Sequence, residues 1–389
     1  NHKLMNTNIN LYKFLTIFAL SLVVISCSKD KDEEADNTVT APATYEFTRN
    51  GESTVSFGGQ TARLKMAGEI YSALKDNSST KEQIDNMFNS GTGFSDSSLD
   101  ASGKNVGGKT AASPSASATV KPIFDAMIVD FVDNVIPAWN DDAADGTPGK
   151  LTDETRSVYI NAKGHEITQL FTKGLMGALV TDQILNNYLT AAKLDSGTNR
   201  DDQANLVLEY GTATKMEHYW DEGFGYLYGE EANVARADLG SSPTGNGVLV
   251  NKYFKKVNDQ AERAGIAQTV YDAFKLGRAA IVAENYTVRD EQAAIIAVNL
   301  SKVIGYKAMD YLNGYVSKKD AGNPADAIHA LSEGWGFVLS LQFTNDGTGQ
   351  PYFSNSEVNA MLAKLDNFWT VSSADCTSMA NEIKTKMGL

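Results

Sequence analysis

Two nine-residue stretches, HYWDEGFGY at His218–Tyr226 and HALSEGWGF at His329–Phe337, share one pattern: His, three residues, Glu, Gly, an aromatic, Gly, an aromatic. The chain has only four histidines, so two of them in matching surroundings point to duplication. Helix positions i and i+4 share a face, which sets His218 beside Glu222 and His329 beside Glu333. An imidazole with a carboxylate is a two-point claw suited to iron, zinc or manganese, and helical bundles complete such sites with inward-facing residues of other helices. Asp182, in GALVTDQILNNYL, and Asp310, in GYKAMDYLNGYV, each lie five residues after a glycine and ahead of a tyrosine, upstream of the two His/Glu helices. They are the further oxygen ligands of an expected metal site made of His218, Glu222, His329, Glu333, Asp182 and Asp310. Its expected cofactor is a divalent metal or iron.

The glycines require a separate cause. Gly223, Gly225, Gly334 and Gly336 each cost a helix interior about 1 kcal/mol relative to alanine. Either another helix backbone or a ligand must approach there, flanked by Phe224, Tyr226, Trp335 and Phe337. A second reading stays open beside the metal site. A duplicated helix keeps its signature when both copies solve one packing problem, with His and Glu satisfied by partners such as Arg278, Lys307 or tyrosine hydroxyls.

Signatures of catalysis are thin, and binding without turnover is the expectation. GHEITQ, from Gly164, starts like a zinc-protease helix but has Gln169 where the second histidine belongs. No G-x-S-x-G or phosphate-cradling glycine loop occurs, and DDAADG at 141–146 has Ala143 where a calcium loop needs oxygen.

The elements that would position these residues are helical. Period-3.6 patterning covers 62–76, 80–89, 121–140, 154–193 and most of 205–385, with eight prolines in the whole chain. The exception is 45–59, where alternation around Asn50-Gly51 predicts a small hairpin. The fold class is therefore all-α, a duplicated helical bundle with an N-terminal β-hairpin. Residues 44–250 are expected to form the hairpin and first bundle, and 251–389 a second bundle packed on it. The Gly/Ser/Ala-rich stretch 90–120 is expected to be mobile, with a lid as the alternative.

Composition bounds the setting. A net charge of −14 without a basic run argues against nucleic acid and favours cationic ligands, metal ions included. Residues 5–27 form a short polar start, an apolar run from Phe14 to Ile25, and VISC ending at Cys27. This pattern is a secretory signal too short to span a membrane stably. Residues 1–4, ahead of Met5, are set aside as non-native. Residues 28–43 read as a disordered tether. Only Cys376 remains after Cys27, so no internal disulfide is possible.

The segment VISC resembles the lipobox of bacterial lipoproteins. Through it, GHEITQLFTKGLMGA and the two EGxG helices, the chain resembles an uncharacterised family of Gram-negative envelope lipoproteins of roughly four hundred residues. It is more faintly similar to the imelysin-like proteins, which have two related helical bundles and are linked to iron or haem uptake. Their Gly-x-His-x-x-Glu motif is not matched here, since Asp221 and Ser332 stand at the acid position. What these resemblances imply is acylation of Cys27, an outer-membrane location on either face, a metal or small-molecule ligand and an outer-membrane receptor as partner. The alternative is a scaffold lipoprotein whose repeated helices only pack.

Overall fold

Asn50 and Gly51 both adopt positive φ, 55° and 84°, and turn β1 (Thr48–Arg49) back onto β2 (Glu52–Ser53), as the Asn-Gly pair predicts. The computed structural model describes residues 38–113, 117–231, 233 and 249–389. Cys27, the expected signal segment and the expected tether as far as residue 37 lie outside the described residues.

After the hairpin, α1 (Gly58–Ala73), α2 (Lys81–Asp85), α3 (Ser97–Ala101) and α4 (Ser117–Asp130) lead to a second hairpin, β3 (Gly149–Thr152) with β4 (Ser157–Ile160). The chain is helical again from α5 (Ile167–Leu175), which runs on through wide π-helical turns at Met176–Thr181 and Ile184–Tyr188. Two short helices, α6 (Ala191–Leu194) and α7 (Asn199–Ala204), precede α8 (Lys215–Tyr228), which carries the first HxxxEGxG copy. Then follow α9 (Val250–Asn258), α10 (Ile266–Val282), α11 (Tyr286–Asp320), α12 (Pro324–Ser340, the second copy), α13 (Asn355–Lys364) and α14 (Ser373–Met387).

The all-α class with a small N-terminal hairpin is what the sequence pattern predicts. Three local expectations are corrected. Residues 157–160 form β4 instead of extending the next helix, because Val158 and Ile160 alternate inward with Ser157 and Tyr159. The helix expected from residue 205 starts only at Lys215, where Thr214 and Glu217 close a reciprocal capping box. The 90–120 stretch, expected to be mobile, is packed in its described part: Phe94, Leu99, Val106 and Ala111 are buried, and Ala111 N–H donates to the Ala178 carbonyl at 2.6 Å. A few well-spaced apolar side chains fix a loop whose composition is otherwise polar.

From Ala325 to Ser340 every residue of α12 except His329 is buried, as in a helix surrounded by protein on all sides. Its neighbours are α5, α11, α13 and the β3–β4 hairpin. The approach to α5 is close enough that a Cβ on Gly336 would meet Lys173 Cβ at 2.4 Å, and one on Gly177 would meet Ser340 Cα at 2.4 Å. In the first copy, a Cβ on Gly225 would meet Phe57 Cβ at 2.3 Å. The repeated glycines thus admit neighbouring chain segments. Val39–Leu389 is one compact unit, and its core runs unbroken past residue 250 because α5 lies along α12.

Candidate functional site

On α12, His329 and Glu333 share a face with Ala330, one turn apart as their spacing requires. Opposite stands the stripe Lys307, Asp310, Tyr311, Gly314 and Lys318 of α11, at intervals of three and four residues with one adjacent pair. The short helix α9 adds Lys252, Tyr253 and Lys256, α5 adds Gln169 and Lys173, α1 adds Tyr71, and Arg156 enters from the turn before β4. Together they enclose a cavity of about 490 Å³.

Six cations and two carboxylates, Asp310 and Glu333, line this cavity in a chain of net charge −14. Two of the cations, Arg156 and Lys318, pair with Asp326 behind the lining. Glu333 is the hub. Its carboxylate lies 3.3 Å from Lys173 Nζ and accepts from Tyr253 Oη at 3.1 Å. Burial pushes the Glu333 carboxyl up, but Lys173, His329 and the Tyr311 hydroxyl outweigh burial and hold it below its ordinary value. Burial also lowers Lys173, against the raising pull of Glu333. The His329 imidazole stands between acids, with Nδ1 2.7 Å from Glu166 and Nε2 3.6 Å from Glu333. Asp310 is held by Arg263 at 3.0 Å and Lys307 at 3.1 Å. Lys252 and Lys256 have no carboxylate within ion-pairing distance among the described residues. Burial and then the neighbouring Lys256 lower the Lys252 ammonium.

The first copy is built differently on its two faces. His218 stacks on Tyr210 with ring centroids 3.9 Å apart, and its Nε2 lies 3.9 Å from Glu222. Burial depresses the His218 imidazole below its ordinary value, against the pull of Glu222 and the Ser56 backbone. Glu222 accepts from Gln60 Nε2 at 2.7 Å and Tyr188 Oη at 3.3 Å. On the adjoining face Glu217 and Asp221 enter a fully buried ionic cluster with Arg278, at 3.2 and 3.0 Å. Arg49 also binds Glu217, at 2.8 Å, and Tyr45 Oη donates to Asp221 at 2.7 Å. In the second copy the equivalent positions are Ile328 and Ser332, so the ionic cluster belongs to the first copy alone.

Of the six expected ligands, His329, Glu333 and Asp310 line one cavity, His218 and Glu222 pair in the other copy, and Asp182 lies apart from both. Asp182 is buried against the Ser113 N–H at 3.2 Å and Asn186 at 3.1 Å, and burial raises its pKa. Asp310 is occupied by cations, and each His/Glu pair has its own set of neighbours. Among the described residues no three His, Cys, Asp or Glu side chains converge to hold a metal ion. His165 lies apart, its ring 4.4 Å from that of Phe368, and burial holds it down at about 4. Tyrosine hydroxyls satisfy both repeated glutamates, as the packing alternative expects, and Lys173 joins them at Glu333.

The cations of the cavity were not legible as a group. KYFKK at 252–256 was the available signal, two lysines one turn apart beside a tyrosine in an acidic chain. Their convergence with Lys173, Lys307 and Arg156 depends on other elements distant in sequence. No described helix is long and apolar enough to cross a membrane. No curated protein and no solved structure matches the chain. The family model described as Domain of unknown function (DUF4856) matches residues 42–389, which spans both repeated helices and every element described above, and the chain belongs to that family.

Proposed function

We propose that this chain is a lipid-anchored cell-envelope binding protein that holds a small, polar, anionic molecule in the cavity beside His329 and Glu333 without turning it over. The observation that carries this reading is that, of the six cations around one cavity of a strongly acidic chain, Lys252 and Lys256 have no carboxylate partner among the described residues. Assembling like charges costs free energy that a bound anion offsets. Lysine, a hydrated point charge, outnumbers arginine five to one in that lining, which suits a ligand with several separated anionic oxygens better than a single planar carboxylate clamp. The VISC segment supports the envelope setting through acylation at Cys27, with an outer-membrane receptor as the matching partner. Iron or haem enters this reading only as a metal-containing ligand gripped through its own anionic groups.

The test is calorimetric titration of the full chain with phosphate, citrate and glucuronate. Saturable, salt-sensitive binding of at least one probe is expected, together with its loss in K252E/K256E, whose exposed side chains leave the fold intact. No binding by any probe, or binding indifferent to that double substitution, would remove the cavity beside His329 and Glu333 as a binding site and leave the second repeated helix a packing element.

A further inference from the structure

We infer that the first copy of the repeat builds a second anion-binding site, around Tyr188 and Glu222, taking a small oxyanion or a carboxylate on a small molecule. This goes beyond the cavity at His329, with which it shares no residue.

Four cations gather there from separate elements: Arg63 of α1, Lys104 and Lys109 of the segment after α3, and Lys193 of α6. The Arg63 guanidinium is buried and donates to the carbonyls of Asn105 at 3.0 Å and Gly59 at 3.3 Å. Lys109 Nζ lies 3.4 Å from Tyr188 Oη and 5.5 Å from that ring. Lys193 Nζ stands 5.9 Å from the same ring and 4.0 Å from the ring of Tyr219. Lys104 extends over Gly59, where an added Cβ would meet its Cε at 3.1 Å, and its charge acts on both Lys109 and His218. Among the described residues none of the four makes an ion pair with a carboxylate. Glu222, whose charge reaches Lys109 beside these cations, has an oxygen already engaged by Gln60 and Tyr188.

The arrangement repeats the one around α12. There Lys173, Lys256 and Lys307 lie 5.6, 5.1 and 5.9 Å from the ring of Tyr253, whose hydroxyl donates to Glu333. Here Lys109 and Lys193 flank the ring of Tyr188, whose hydroxyl donates to Glu222. In each copy the repeated glutamate fixes a tyrosine hydroxyl, and the tyrosine ring gathers lysines by cation–π attraction, three at Tyr253 and two at Tyr188. The remaining positive charge of partly buried lysines then faces a bound anion. Burial, with Arg63 adding to it, lowers the Lys109 ammonium.

Titration of the full chain with inorganic phosphate and with glucuronate tests this, the first probe standing for a free oxyanion and the second for an acid carried on a sugar. Two sites are expected for at least one probe, one lost in K252E/K256E and the other weakened roughly tenfold or more in K109Q/K193Q. In anion-free buffer K109Q, and K193Q separately, should melt close to the wild type, since relief of repulsion among the cations offsets the lost tyrosine contacts. A single site lost in K252E/K256E and insensitive to K109Q/K193Q overturns the second site and leaves the cavity at His329 standing, and one insensitive to both pairs overturns both. A single site sensitive only to K109Q/K193Q supports it and removes that cavity instead. Absence of any binding overturns both, and a K109Q protein melting well below the wild type marks Lys109 as structural and overturns the second site alone.

Discussion

Gly336 lies so near Lys173 that a Cβ placed on it would come within 2.4 Å of Lys173 Cβ and 2.7 Å of the Gly174 nitrogen. The glycine three residues after Glu333 therefore lets α5 approach, and with it the lysine that Glu333 binds. Gly336→Ala should push α5 away and cost about 1–3 kcal/mol, measured as a shift in the urea midpoint. Gly314→Ala, in α11 with nothing near its added Cβ, should be neutral or stabilise by up to about 1 kcal/mol. Equal effects of the two substitutions would refute the close-approach explanation.

Arg278 is fully buried between Glu217 and Asp221. Arg278→Met leaves Asp221 without its cation in a dry site and should destabilise by about 3–5 kcal/mol in chemical denaturation. Adding Asp221→Asn to that variant should recover part of the loss, because the stranded charge is removed. A double variant no more stable than the single one contradicts this account.

Two buried groups oppose each other in their pH dependence. Burial lifts Asp221 from 3.8 to about 6 and drops His165 from 6.5 to about 4. The raised acid takes its proton first in the folded chain, so its contribution is complete below pH 3.8 and is lost as pH rises through 6. The depressed histidine takes its proton first in the unfolded chain, so its contribution is complete above pH 6.5 and is lost as pH falls toward 4. Relative to the wild type, His165→Gln should gain stability as pH falls from 6.5 to 4, and Asp221→Asn should lose it from 6 to 4. Denaturant midpoints across this range check both signs.

Removing free metal should leave anion binding unchanged. The two imidazoles lie in separate surroundings, each beside its own glutamate, and Asp310 is neutralised by Arg263 and Lys307. Titrations repeated after exhaustive chelation are expected to superimpose on the originals. Loss of affinity restored by iron, zinc or manganese would instead place a metal at one of the two pairs, His218 with Glu222 or His329 with Glu333.

The helices and the Asn-Gly hairpin were legible because each rests on local periodicity and turn chemistry. The Thr214–Glu217 capping box was written in the sequence too, and it sets the start of α8 more sharply than the apolar period did. Other features required contacts distant in sequence. The anchoring of Phe94, Leu99 and Val106 beneath a polar loop is one, and the convergence of Lys173, Lys252 and Lys307 is another. The repeated His/Glu spacing located the glutamates at the hub of both clusters, while net charge pointed to cationic guests because it averages over the surface and hides a local basic concavity.

Tyr45 stacks on Phe224 with ring centroids 3.6 Å apart, donates its hydroxyl to Asp221 and its backbone N–H to Tyr271 Oη, at 2.7 and 3.1 Å. Just beyond it Arg49 binds Glu217, and the Ser53 carbonyl accepts from Thr212. Mechanical load arriving from the N-terminal side would be met first by this set of bonds, shared between α8 and α10, instead of peeling the hairpin away strand by strand. The entry of the chain into its folded body is thereby a rivet, set into α8 and α10.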